Sequence, residues 1–265
     1  SLLLSSALIP ILLTKRKAPK FKRLGFINIK GLYKTSPLAT VSMLCTGIIH
    51  SALFTLGSVY AASMNFTLFE ISLLIFLITV SGGVFQFPIG YYSDKSDRRV
   101  VIIFCTFFAA LFCFLSILAS GTSLENMYLA TSVGFDKIMF FIYVGLYAGM
   151  AIPLFTLNLA YVNDYIPKEK IVAAGGGMQI IFGLGAMIGP LLCSLLMNKF
   201  GTNGFFVHLL FFHLVIGSFG LFRITKRSYE DNPDSTFTPL PRNITPLGIE
   251  LDPTTGANIT NPNEK

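Results

Sequence analysis

Gly90-Tyr91-Tyr92-Ser93-Asp94-Lys95-Ser96-Asp97-Arg98-Arg99 packs five charges between two long apolar stretches. Acids and bases mixed at this density make and break ion pairs; they do not attack bonds. A second charged group, Asp164, Pro167, Lys168, Glu169 and Lys170, follows a later apolar stretch that carries Pro153 and Asn158. His50, Gln86, Asn158 and Gln179 lie inside apolar stretches, and polar side chains at membrane depth face a partner or an aqueous path. As cavity residues, the three amides would offer neutral donors and acceptors to a solute, and His50 would titrate. Each would serve as well in an interhelical hydrogen bond worth about 0.6 kcal/mol. No Walker loop, His-Glu-x-x-His or Gly-x-Ser-x-Gly pattern is present, so an ATP-driven motor and the common hydrolases have no support. Cys45, Cys105, Cys113 and Cys193 make no metal or redox spacing and read as apolar packing residues. The expectation is a protein that is not an enzyme and takes no cofactor and no metal.

The elements that must carry these residues are membrane helices. The 265 residues are 53% hydrophobic and 12% charged, with mean hydropathy +0.67, too apolar for a soluble domain of this size. Stretches without Asp, Glu, Lys or Arg run over 35–69, 71–93, 100–124, 138–163, 171–198 and 200–222, each long enough for the ~20 residues that span a hydrocarbon core. Glu70 falls at a helix start. Basic residues gather in alternate connections: 15–34, 94–99, 163–170 and 223–227 hold them, while the opposite side has only Lys137 and Lys199. The rich side, with the C-terminus, is expected to be cytoplasmic. The net charge of +7 then reports topology and anionic headgroups, with no nucleic acid as partner.

The expected organisation is the end of a preceding transmembrane helix over 1–14, a basic cytoplasmic linker over 15–35, a six-helix membrane domain over 36–222, and a disordered cytoplasmic tail over 223–265. The tail is proline-rich and poor in large apolar side chains. On this topology Asn243 and Asn258 face the cytoplasm and Asn65 lies too close to the bilayer, so no glycosylation is expected. The 100–120 span, with its phenylalanines and no glycine before Gly121, reads as a lipid-facing strut. Thr79, Gly83, Gln86 and Gly90 make one face of the 71–91 helix. Thr46, His50 and Gly57 share another, as do Tyr147, Ala151, Leu154 and Asn158, and Gly176, Gln179, Gly183 and Ala186.

The charged segment resembles the loop pattern Gly-x-x-x-Asp-basic-x-Gly-basic-basic of the major facilitator superfamily. Gly90, Asp94, Lys95, Arg98 and Arg99 fit it, and Asp97 stands where the pattern has its second glycine. Asp94 is expected just past a helix C-terminus, compensated by Lys95 or Arg98, with Asp97 or Ser96 capping the next helix. The Asp164 group resembles the family's Asp-x-x-Pro-x-x-x-basic signature, with Lys170 one place early. Gly185, Gly189 and Pro190 resemble a Gly-Pro hinge of some family exchangers; close helix packing accounts for them equally. Among family members, the chain is most similar to bacterial permeases of the YcaD type.

The resemblance implies an all-α fold of two inverted three-helix repeats, 36–120 and 138–222, forming the C-terminal half of a twelve-helix transporter. It implies that Arg98 pairs with Asp164 when the cytoplasmic side is closed. It also implies secondary transport of a small solute by alternating access, with a proton or cation as coupling partner, the lipid bilayer as environment and the absent N-terminal half as structural partner. The expected site is a multi-pass protein of the bacterial inner membrane. The competing reading is a non-transporting assembly, receptor or scaffold module.

Overall fold

The computed structural model describes residues 29–120, 137–167 and 170–226. A short helix α1 (Ile29–Thr35) leads into α2 (Pro37–Ser63), α3 (Leu68–Lys95), α4 (Arg98–Ala119), α5 (Lys137–Ala151), α6 (Leu154–Asn163), α7 (Ile171–Phe200) and, after a 3-10 turn, α8 (Gly204–Ile224). Most of these boundaries have local causes. Pro37 opens α2, where a missing N–H leaves no bond unmade. The Thr67 hydroxyl accepts from the Glu70 amide while the Glu70 carboxylate accepts from the Thr67 amide, a reciprocal cap that starts α3. Asp97 caps α4. Asn65 and Gly201 take positive φ values, 56° and 66°, a region open to glycine and tolerated by asparagine; they turn the chain after α2 and α7.

Five continuous helical stretches are long and apolar enough to cross a bilayer, and the last, Ile171–Ile224, has 54 residues. At 1.5 Å per residue that would be about 80 Å of straight helix, more than twice a ~30 Å hydrocarbon core. It folds as α7 and α8, so the described residues hold six stretches long enough for a traverse. With no strand among them, the chain is an all-α, multi-pass membrane protein.

The fourth traverse is broken. α5 stops at Ala151 and α6 starts at Leu154, because Pro153 has no N–H to return to the preceding turn. Pro190, by contrast, lies inside an uninterrupted α7.

The densest packing joins α2 to α7, followed by α8 on α4. Glycines set the α2–α7 distance. A Cβ on Gly47 would lie 2.2 Å from the Phe182 carbonyl oxygen, on Gly185 2.2 Å from that of Leu44, and on Gly189 2.3 Å from that of Ile48. The two backbones therefore touch directly, as small residues allow between membrane helices.

One expectation is corrected here. The 100–120 span is not a lipid-facing strut: Ile102, Cys105, Thr106, Ala109, Cys113 and Ser116 are buried, and Phe104, Phe108, Leu111 and Phe114 point outward. The close contacts come from the other helix, where a Cβ on Gly217 or Gly220 would strike Phe107 or Ile103. The final helix is central to this unit. His208 and His213 are fully buried, and α8 packs on α4, α2 and α7. The segment 1–14, most of 15–35, and the tail beyond Lys226 with Asn243 and Asn258 lie outside the described residues.

Candidate functional site

Arg98 opens α4 with its side chain only 4% exposed, and each nitrogen of its guanidinium has its own acceptor. Nη1 donates to Ser93 Oγ at 3.2 Å, Nη2 to Asp94 Oδ1 at 3.0 Å, and Nε lies 3.0 Å from Asp164 Oδ2. A planar fork of fixed donors suits this arrangement; a lysine ammonium would not reproduce it. Ser93 and Asp94 belong to α3, and Asp164 is the C-cap of α6. One cation thus ties the ends of three helices.

Asp94 does not lie past the end of its helix as expected, because α3 continues through Lys95. Its carboxylate sits in the last turn, facing the negative end of the helix dipole, an unfavourable position unless a cation offsets it. Arg98 supplies that cation. Lys95 turns away instead, donating to the Tyr91 hydroxyl and sitting 4.0 Å from the centre of that ring.

Asp97 explains the departure from the glycine of the loop pattern. Its Oδ1 accepts from the Arg99 amide at 2.9 Å, capping α4, and both its oxygens accept from Arg99 Nε at 2.9 Å. Arg99 Nη2 closes the fork on Oδ2 at 2.6 Å. The two adjacent arginines therefore have different tasks: Arg99 is paired within the loop and Arg98 across helices. Gly90 is buried in α3. Lys170 is exposed at the start of α7 and has no ion pair among the described residues, so the structure does not bring it to the cluster.

At the other end of the same helices, Glu70 Oε1 accepts from Lys137 Nζ at 2.7 Å, joining the start of α3 to the start of α5. The Lys137 ammonium also stands 5.6 Å from the Phe66 ring centre.

The four cavity candidates divide. His50 and Asn158 are fully buried inside this unit. His50 Nε2 lies 3.0 Å from the Ala151 carbonyl oxygen, and Asn158 Nδ2 donates to Thr46 Oγ1 at 3.2 Å. Gln86 is half-buried, with its amide donating to Thr156 Oγ1 at 2.9 Å. Gln179 is also half-buried. The groove of about 430 Å³ between α3 and α5, walled by Leu73, Leu77, Phe85 and Phe141, includes none of the four. On the 71–91 face Thr79 and Gly83 are exposed while Gly90 is buried, so that face has no single environment.

Ser93 and Thr156 are partners that the sequence reading missed. Each lies beside a charged or polar residue that it singled out: Ser93 precedes Asp94, and Thr156 is two residues before Asn158. Hydroxyls so placed are the available signal. His213 Nε2 and the Tyr147 hydroxyl, 3.4 Å apart, add a buried polar contact between α8 and α5.

A family model described as Major Facilitator Superfamily matches residues 1–176 and, in a second alignment, residues 41–253. The uncharacterized MFS-type transporter YfkF of Bacillus subtilis is 26% identical over 193 residues, 72% of this chain and 44% of the relative. The uncharacterized MFS-type transporter YE1530 of Yersinia enterocolitica is 22% identical over 66% of this chain and 41% of its own length. YcaD of Escherichia fergusonii, described in the same words, is 18% identical over 77% of this chain and 50% of its own length. The chain spans about half the length of the curated relatives it matches. No solved structure matches it significantly.

Proposed function

The chain belongs to the major facilitator superfamily, and from that premise we propose that it forms the C-terminal six-helix half of a secondary transporter that moves a small solute across a bacterial inner membrane. The Arg98 cluster is the cytoplasmic latch. With the latch made, Ser93, Asp94 and Asp164 are drawn together and the cytoplasmic ends of α3, α4 and α6 are closed. With it broken, all three charged groups are hydrated and these helix ends separate. Alternating access is exchange between the two states, driven by solute binding in the complete protein, with or without a coupled proton or cation.

The observation that carries this reading is the nearly buried guanidinium shared between carboxylates of two helices. A buried charge costs several kcal/mol of desolvation, recovered only with good pairing geometry. A contact of this kind holds while water is excluded and weakens when water enters, the property that a gate requires. The outer ends, tied by Glu70 and Lys137, stay together throughout. Gly185, Gly189 and Pro190 give α7 a surface on which it shifts against α2, and Gln86 and Gln179 are the polar groups nearest the path. The N-terminal half covers the exposed faces of α3 and α7.

The test is uptake of a solute panel into proteoliposomes containing the full-length protein, wild type against Asp164→Asn. Protein-dependent uptake that falls at least tenfold in the variant supports the latch. Protein-dependent uptake identical in both removes the latch from the cycle. No uptake attributable to the protein would favour the non-transporting membrane module.

A further inference from the structure

The break at Ile152–Pro153 separates α5 from α6, and the residue facing it is His50. A carbonyl oxygen only accepts, so His50 Nε2, 3.0 Å from Ala151 O, carries the proton of that bond. One turn before His50 on α2, Thr46 Oγ1 accepts from the Asn158 amide on the far side of the break. Two contacts from one continuous helix therefore straddle the interruption. The opposite side, against α3, is packed closely, since a Cβ on Gly82 would strike the Ile152 side chain and one on Gly149 the Phe85 ring, and its polar contact at the break is the Gln86 amide donating to Thr156 Oγ1 at 2.9 Å. From this fixed point α6 runs ten residues to Asn163, about 15 Å of helix, and ends at Asp164, which holds Arg98.

We propose that His50 is a positioning residue. Its Nε2–H pins the Ala151 carbonyl, so that the half-helix Leu154–Asn163 turns as one lever about the Pro153 break when Asp164 releases Arg98. This rests on the latch reading above. His50 is then neither a solute ligand nor the carrier of a transported proton. Its ring is fully buried, edge-on to Phe182 at 6.0 Å between centres, and its donor is already used. Helix breaks in membranes persist only where other groups satisfy the backbone left unpaired, and His50 fills that role at the α2 face.

The test compares the full-length protein with His50→Gln, which keeps an N–H donor of similar reach, and His50→Leu, which removes it. Backbone hydrogen exchange over 150–157 in lipid nanodiscs is expected to rise about tenfold in His50→Leu, the effect of one buried hydrogen bond, and to stay within about twofold in His50→Gln. In proteoliposomes His50→Leu is expected to lower the maximal uptake rate with unchanged half-saturation, and His50→Gln to restore it. Unchanged exchange in His50→Leu overturns the pin. Uptake lost in both variants with normal exchange in His50→Gln also overturns it, since the imidazole itself would be needed. If exchange rises in His50→Leu but uptake is insensitive to both that change and Asp164→Asn, the latch reading fails and the lever with it, while the pin stands as a feature of the fold.

Discussion

Replacing Arg98 with Ala removes the guanidinium that Asp94 and Asp164 share. Asp164 is 13% exposed, and breaking a buried ion pair from one side costs about 3 to 5 kcal/mol. Because this carboxylate is not fully enclosed, the lower figure applies. Asp94 is 28% exposed and pairs within a turn, a contact worth only about 0.3 to 0.5 kcal/mol. The sum is roughly 3 kcal/mol, and it falls on the latched state alone, since water solvates all three groups once the helix ends part. At 1.4 kcal/mol per factor of ten, the latched state loses roughly two orders of magnitude in population. A cysteine placed at Asn163, whose side-chain oxygen is inaccessible when the latch is made, reports that population through its rate of modification by an impermeant maleimide in inverted vesicles. The native cysteines are all buried and do not compete. Modification is expected to accelerate on the order of a hundredfold in Arg98→Ala, and raising salt to 1 M in the wild type to change it little, because a buried pair is weakly screened. Equal rates in the wild type and a folded Arg98→Ala would refute the argument that this cluster holds the cytoplasmic side closed.

Three further outcomes follow from the geometry. Asp97→Gly restores the glycine of the family pattern yet is expected to destabilise the protein by about 2 kcal/mol, since it strips Arg99 of its charged partner; a lowered thermal midpoint in detergent is the measurement. Gly185→Leu drives a side chain into the Leu44 carbonyl and should lower that midpoint by the equivalent of 1 to 3 kcal/mol, about the usual cost of overpacking. Gly183→Leu on the same helix, with open space at its Cβ, should leave it unchanged. Asn158→Leu loses one bond worth about 0.6 kcal/mol, and Thr46 keeps its other bond to the Ser42 carbonyl. Half-saturation of uptake should therefore stay within about twofold, whereas a tenfold rise would return Asn158 to the solute path.

The apolar spans and the charged segment at their edge were legible because water and hydrocarbon treat charges so differently: a run without charges means lipid, and a cluster of charges means its edge; the pairing of Arg98 with Asp164 came through the family resemblance alone. The direction in which each helix faces was not legible, for the converse reason. Lipid tails and neighbouring side chains are equally apolar, so hydrophobic periodicity does not distinguish them, and residue size becomes the signal. α4 shows the effect. Its buried face carries Cys, Ala, Thr and Ser beside Ile102, Ile103 and Ile117, and its outer face Phe and Leu, a sorting by bulk that a search for glycine passes over. His50 and Asn158 are polar groups buried inside this unit. Whether such a group meets water or another helix depends on a carbonyl or hydroxyl more than a hundred residues away, which no local pattern contains.

The direct backbone contact between α2 and α7 also bears on how the chain enters the membrane. About 140 residues separate Gly47 from Gly185, and at roughly 5 to 20 residues per second of synthesis the first of these helices waits about 7 to 28 s for the second. For most of that interval its glycine face is open to lipid, and the partners of His50 on α5 and of Thr46 on α6 have yet to emerge. α2 is also the least hydropathic of the spanning stretches. The helix most dependent on its neighbours is thus the one that must persist longest without them, which makes the residence of α2 beside the insertion machinery the step at which biogenesis of this unit is most exposed to failure.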